Sequence, residues 1–157
     1  MNEEDARAAF RDIADRLRDD TEAGRTTIRI DCAPLGKGVE EVAIEARDGS
    51  ARPLEGKRTQ DVRNGAAVRW LVKNRRTFTM EDCLNPWDDA VAPEDYVIEL
   101  YGIRSEMVSG VFRGDDLVGI VSVHYTRGVR TWTDDEIALI ERACAEVLVV
   151  LDKVEGR

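Results

Sequence analysis

The chain has 157 residues, 43% of them hydrophobic and 35% charged, with a formal net charge of −9. That length buries a sizeable core without staples, and that balance is globular rather than disordered. The acidic excess opposes both nucleic-acid phosphate and anionic membrane surface, and no apolar run approaches the ~20 residues of a membrane span, so no nucleic acid and no membrane partner is expected.

The acidic start, Met1-Asn2-Glu3-Glu4-Asp5, lacks the apolar h-region of a secretory signal. From about Glu3 to Asp19, Ala6, Phe10, Ile13 and Leu17 recur at helical spacing and predict an amphipathic helix that Gly24 ends. Arg25 to Cys32 alternates, with Thr26, Ile28 and Ile30 on one face and Thr27, Arg29 and Asp31 on the other, which predicts a strand. Pro34-Leu35-Gly36-Lys37-Gly38 is turn chemistry, and Val39 to Ala46 reads as the partner strand of a hairpin. Residues 47 to 61 read as a loop, Asp61 to Asn74 as a second helix, Thr77 to Met80 as a short strand, and Glu81 to Asp95 as an acidic loop with at most a helical turn.

Arg104 to Phe112 and Leu117 to Tyr125 form the clearest hairpin, turning at Arg113-Gly114-Asp115-Asp116. The closing helix opens on a capping box, Thr133 with Glu136, and a Trp132–Ile137 staple; Ile140, Cys144, Val147, Leu148 and Leu151 continue its apolar face. The strands cluster in hairpins, so the fold class is α+β with a largely antiparallel sheet. One domain is expected over 1–157, with an N-terminal helix over 1–20, sheet, middle helix and loops over 25–127, and a closing helix over 133–154.

Catalytic motifs are scarce. His124 is the only histidine, no Gly-x-Ser-x-Gly occurs, and neither Gly36-Lys37-Gly38 nor Gly56-Lys57-Arg58 completes a nucleotide-binding loop. The acids Asp88, Asp89, Glu94 and Asp95 do not follow a Ca²⁺-loop pattern and read as a solvated loop, so no metal site is expected. Cys32, Cys83 and Cys144 are scattered, without a Cys-x-x-Cys pair, which predicts reduced thiols and a cytoplasmic location rather than a zinc site or a disulfide framework.

Gly65 to Asp82 (glycine-led helix, basic turn, short strand, aspartate), Tyr101 to Phe112, Leu117 to Tyr125 with Gly119, and Arg130 to Ile140 resemble, in that order, the pattern of the GAF family. The resemblance implies a GAF-like/PAS-like fold: a six-stranded antiparallel sheet, the terminal helices on one face and a ligand pocket on the other. It also implies dimerisation through the terminal helices, here by Phe10, Ile13, Leu17, Ile140, Val147 and Leu151. Period-two alternation places Ile120, Ser122 and His124 on one face of the last strand and Val121, Val123 and Tyr125 on the other. The phytochrome branch places a histidine at the position of His124, facing its chromophore, and small polar residues at those of Glu106 and Val108. His124, Ser122, Glu106 and Val108 are therefore the first pocket candidates. Trp70, Trp87, Tyr96, Tyr101 and Arg104 follow, because such pockets need aromatic walls and a few fixed polar groups. A satisfied structural histidine is the alternative for His124, and core packing is the alternative for the tryptophans.

The middle helix carries Trp70 and no cysteine, and leucine follows Cys83, so covalent bilin attachment is not expected; no cofactor is named. Thr126-Arg127 stands where cyclic-nucleotide GAF domains carry Asn-Lys. The leading expectation is a non-enzymatic sensory module that binds an unidentified small molecule and signals through a dimer or a partner. The alternatives are a reductase of the free methionine sulfoxide type, using a Cys83 thiolate beside Arg75 or Arg76, and a structural interaction domain with a collapsed pocket.

Overall fold

The computed structural model describes residues 1–157, except for the side chain of Tyr96. Helix α1 (Glu3–Thr21) starts where the Asn2 side chain accepts the Asp5 N–H, with Glu3, Glu4 and Asp5 in its first turn, and ends at Glu22 in the left-handed conformation. Strands β1 (Arg25–Ile30) and β2 (Ile44–Arg47) follow, then helix α2 (Ala66–Asn74) and strand β3 (Phe78–Met80). Helix α3 (Asp95–Tyr101), strands β4 (Ser105–Arg113) and β5 (Asp116–Tyr125), and helix α4 (Asp134–Glu155) complete the order. The strands form one antiparallel sheet in the order β2-β1-β5-β4-β3.

The sheet has five strands among the described residues, a correction to the six implied by the family resemblance. The hairpin partner expected from Val39 to Ala46 pairs with β1 only from Ile44 onward. The preceding backbone is engaged elsewhere. The Val39 N–H donates to Asp31 Oδ1, the Val39 and Glu40 carbonyls accept from the Arg29 guanidinium, and the Val42 N–H bonds to Lys57 O. Helix α2 is also shorter than the spacing predicts. Gly65 holds an extended backbone at its N-cap and separates it from a 3-10 turn over Val62–Asn64. The acidic segment expected to be loop carries one 3-10 turn, Asp89–Val91, and helix α3 begins at its last residue, Asp95.

Two cores lie on opposite faces of this sheet. On one, Ile28, Ile30, Met107, Val121 and Val123 meet Phe10, Ile13 and Leu17 of α1 and Ile140, Val147 and Leu151 of α4. On the other, Val108 and Ile120 meet Val68 and Leu71 of α2, with Phe78, Met80 and Val91. Thr26, pointing to the first core, donates its hydroxyl to Ala14 O and ties β1 to α1. The six terminal-helix residues expected to make a dimer are therefore buried inside the protomer. Helical spacing identifies an apolar face but not which surface covers it.

Helix α4 begins with both halves of the capping box in place: Thr133 Oγ1 accepts the Glu136 N–H at 3.2 Å, and Glu136 Oε1 accepts the Thr133 N–H at 3.1 Å. Thr133→Ala removes one half and is expected to cost about 1 kcal/mol in urea unfolding; a change indistinguishable from zero would show that the cap is redundant.

Candidate functional site

The antiparallel register sets three rows of side chains on the sheet face away from α1 and α4. Arg25, His124 and Glu106 lie across β1, β5 and β4 in the first row; Thr27, Ser122 and Val108 form the second; Arg29 and Ile120 lead the third. Arg25 is fully buried. Its Nε donates to His124 Nδ1 at 3.0 Å, and its other nitrogens donate to Arg52 O at 2.8 Å and to Tyr101 O. A guanidinium only donates, so Nδ1 must be an acceptor and the neutral ring carries its proton on Nε2. That nitrogen lies 3.9 Å from Glu106 Oε2, beyond a direct hydrogen bond. The Tyr101 ring, from the end of α3, stacks on His124 with centroids 5.8 Å apart. Its hydroxyl contacts Arg29, at 3.0 Å, and Thr59.

Burial governs the charges here. It holds His124 well below its ordinary range, helped by Arg25 and Arg29, so the imidazole is neutral at pH 7. Burial lifts the Glu106 carboxyl to about 7. Arg25 falls to about 10 through burial and stays charged, and Arg29 is lowered for the same reason.

Above these rows is a cavity of about 560 Å³. Its floor includes Arg29, Tyr101, Glu106, Val108, Ile120, Ser122 and His124; the first turn of α2 and the segments 59–64 and 89–94 close around it. Five of the sequence candidates, His124, Ser122, Glu106, Val108 and Tyr101, thus converge on one cavity.

A profile described as the GAF domain matches residues 5–151. The chain belongs to the GAF domain family. The blue-light absorbing form of the Thermosynechococcus elongatus PixJ GAF domain superposes with a TM-score of 0.73 and 18% identity, covering 94% of this chain and 86% of that one. The phycoerythrobilin-bound GAF domain of a cyanobacterial phytochrome gives 0.74 and 16%, covering 96% and 87%. The phycocyanobilin-bound GAF domain of a cyanobacterial phytochrome gives 0.73 and 17%, covering 95% and 85%. At these identities the likeness is one of fold. No curated protein matches the chain. No helix is long and apolar enough to cross a membrane among the described residues.

In this GAF domain Trp70, Trp87 and Arg104 lie outside the cavity wall. Trp70 and Trp87 form an aromatic group with Phe78, with centroids 5.5 to 6.3 Å apart, and the Trp87 indole donates to Thr79 O. Arg104 pairs with Asp82 at 3.1 Å and draws that carboxyl down to about 2. The side chain of Tyr96 lies outside the described residues. Cys83 is buried, and burial, then Glu106 and Asp82, push its thiol above the ordinary range. Arg75 lies 3.8 Å over the Phe112 ring and Arg76 lies 5.4 Å over Trp70. Neither arginine supplies the cationic partner of the expected thiolate, which corrects that reading. Among the described residues no three of His, Cys, Asp or Glu converge as a metal site.

Sequence reasoning missed Arg25, Arg29 and Thr59. A signal for the arginines was present: they alternate with Thr27 on the polar face of a strand whose other face is apolar. Pro93, the acids Glu94 and Asp95, and Gly102 also bracket α3, which delivers Tyr101.

Proposed function

We propose that this GAF domain is a small-molecule-binding sensory module. The cavity of about 560 Å³ carries the reading, because it combines apolar walls with a few convergent polar groups, Glu106, Ser122, His124 and Tyr101, on a rigid sheet. Its volume weighs against a collapsed structural domain, and the buried, protonated Cys83 weighs against a thiol-dependent enzyme. The bilin-bound neighbours make a bilin the first ligand to look for. No cysteine lines the cavity, so such a chromophore would be held without a covalent bond to sulfur. Native mass spectrometry and an absorbance spectrum of freshly purified protein test this. A co-purifying molecule that dissociates on unfolding is expected; repeated preparations that fly as the bare chain would count against it.

Output would pass through α1 and α4 to a second copy or a partner, a ligand acting only by its preference for one arrangement over another. The face for such contact is the outer one. Ala138, Arg142, Ala145 and Val149 are exposed on α4 at alternating spacings of four and three. Light scattering coupled to size exclusion is expected to give about twice the 17.6 kDa chain mass, reduced by Val149→Glu. A clean monomer at micromolar concentration removes the dimer.

A further inference from the structure

The cavity wall holds a carboxyl with no partner. Glu106 is 8% exposed and faces the cavity, yet its carboxyl makes no hydrogen bond with any described residue. A buried polar group left in this state needs an explanation. The nearest candidate partner, His124 Nε2, is 3.9 Å away on a neutral ring. The two arginines of β1 are committed to other acceptors. Arg25 donates to His124, Arg52 O and Tyr101 O, and Arg29 donates to Val39 O, Glu40 O, Thr59 and Tyr101. The wall as a whole is acidic: Asp61, Asp89, Glu94 and Glu106 face only Arg29 and Arg69.

We propose that this cavity takes an organic cation, a small molecule with an apolar body and one protonated nitrogen seated against the Glu106 carboxylate. The inference rests on the cavity being a ligand site, and it names the ligand's charge. Val68, Val91, Val108 and Ile120 provide the apolar wall for the body. Desolvation of Glu106 before binding makes its charge costly, and a cation arriving at hydrogen-bond distance relieves that cost. An anionic group at the same point would face a second buried negative charge.

The groups facing Glu106 make the pH dependence readable. Met80, its partner on β3, carries no charge. Cys83, just beyond β3, keeps its proton, and His124 on β5 stays neutral. Arg25 and Arg29 on β1 keep their charge through neutral pH, and Arg69 reaches the wall from α2. Tyr101 ends α3, and the rim acids Asp61, Asp89 and Glu94 lie nearer solvent. Glu106, lifted to about 7 by burial, titrates near neutrality.

Three probes of one shape separate the possibilities: benzamidinium, neutral benzamide and benzoate, the last representing the anion that Arg69 and the first turn of α2 would favour. Calorimetric titration of the whole chain is expected to rank benzamidinium at least about tenfold tighter than the other two. Amide signals of Ser122, His124 and Tyr101 are expected to shift in nitrogen–proton spectra. Glu106→Gln, which keeps the side-chain shape, is expected to bring benzamidinium to the level of benzamide. In the unaltered protein benzamidinium affinity is expected to fall about tenfold from about pH 8 to about pH 6, as the carboxyl takes its proton. Equal or tighter binding of benzamide or benzoate, a flat pH profile, or shifts confined to other residues would overturn the cation and leave the cavity reading standing. If no probe binds, the proposal fails, and co-purification of a ligand judges the cavity reading by itself.

Discussion

Phe10→Ala is expected to lower the unfolding free energy by about 3–5 kcal/mol, the usual cost of emptying a fully buried aromatic site. Phe10 has no exposed surface and lies with Ile13 and Leu17 on the face of α1 that packs against α4 and the sheet. The loss has two parts, the transfer of the ring back to water and the cavity left when α1, α4 and β1 cannot close over it. For a chain of this size about 4 kcal/mol corresponds to roughly a 10 °C drop in melting temperature. Val129→Ala is the control: that residue is 54% exposed and lies off the outer face of α4, so urea unfolding is expected to move by no more than about 0.5 kcal/mol. Phe10 and the cavity belong to opposite faces of the sheet, so the variant should remain able to bind whatever ligand the parent binds, below its own melting temperature. A cost under about 1 kcal/mol would mean that α1 collapses onto the gap, and the two-core description of the fold would need revision.

The same two faces explain what could be read from the sequence. Along β5 the period of two decides everything. Once Val121 and Val123 are assigned to the helix side, Ile120, Ser122 and His124 must look the other way, and the register with β4 brings Val108 opposite Ser122 and Glu106 opposite His124. No comparable rule governs Trp70 and Trp87. An aromatic side chain fits a cavity wall or a cluster equally well, and the cluster around Phe78 depends on how the segment after β3 folds back across α2. Arg25 and Arg29 escaped for a different reason. A charged residue on a strand ordinarily marks a solvated face, and these two are buried because distant backbone carbonyls, those of Arg52, Tyr101, Val39 and Glu40, converge on them. Those partners come from loops and from the end of α3, segments without the periodicity that reveals a helix or strand. The length of β2 shows the same limit, since that strand is shortened by side-chain bonds from Arg29 and Asp31 rather than by any turn residue within it.

Glu106→Gln is expected to stabilise the ligand-free protein at alkaline pH by about 3 kcal/mol, and to do so in a window fixed by the carboxyl itself. Burial raises the folded-state value from an ordinary 4.5 to about 7. Between those two limits the unfolded chain has released this proton while the folded chain still holds it. Folding is therefore progressively penalised as pH rises from 4.5, and above about 7 the penalty is constant, the folded protein carrying an unpaired buried charge. Glutamine keeps the shape, carries no proton to lose and removes the penalty. The stability difference between variant and parent should be near zero below about pH 4.5, open through neutrality and reach its plateau above about pH 7. His124 contributes in the opposite sense. Its folded value is depressed, so as pH falls below 6.5 the unfolded chain binds a proton that the folded ring refuses, and both proteins lose stability together. That shared acid limb cancels in the difference, which leaves Glu106 alone. Urea unfolding of both proteins at half-unit pH intervals measures the difference directly. A difference that is flat with pH, or negative above neutrality, would mean that the Glu106 carboxylate already has a partner in the ligand-free protein. The argument for a cationic ligand would then lose its premise, because a charge already compensated gains nothing from a second cation.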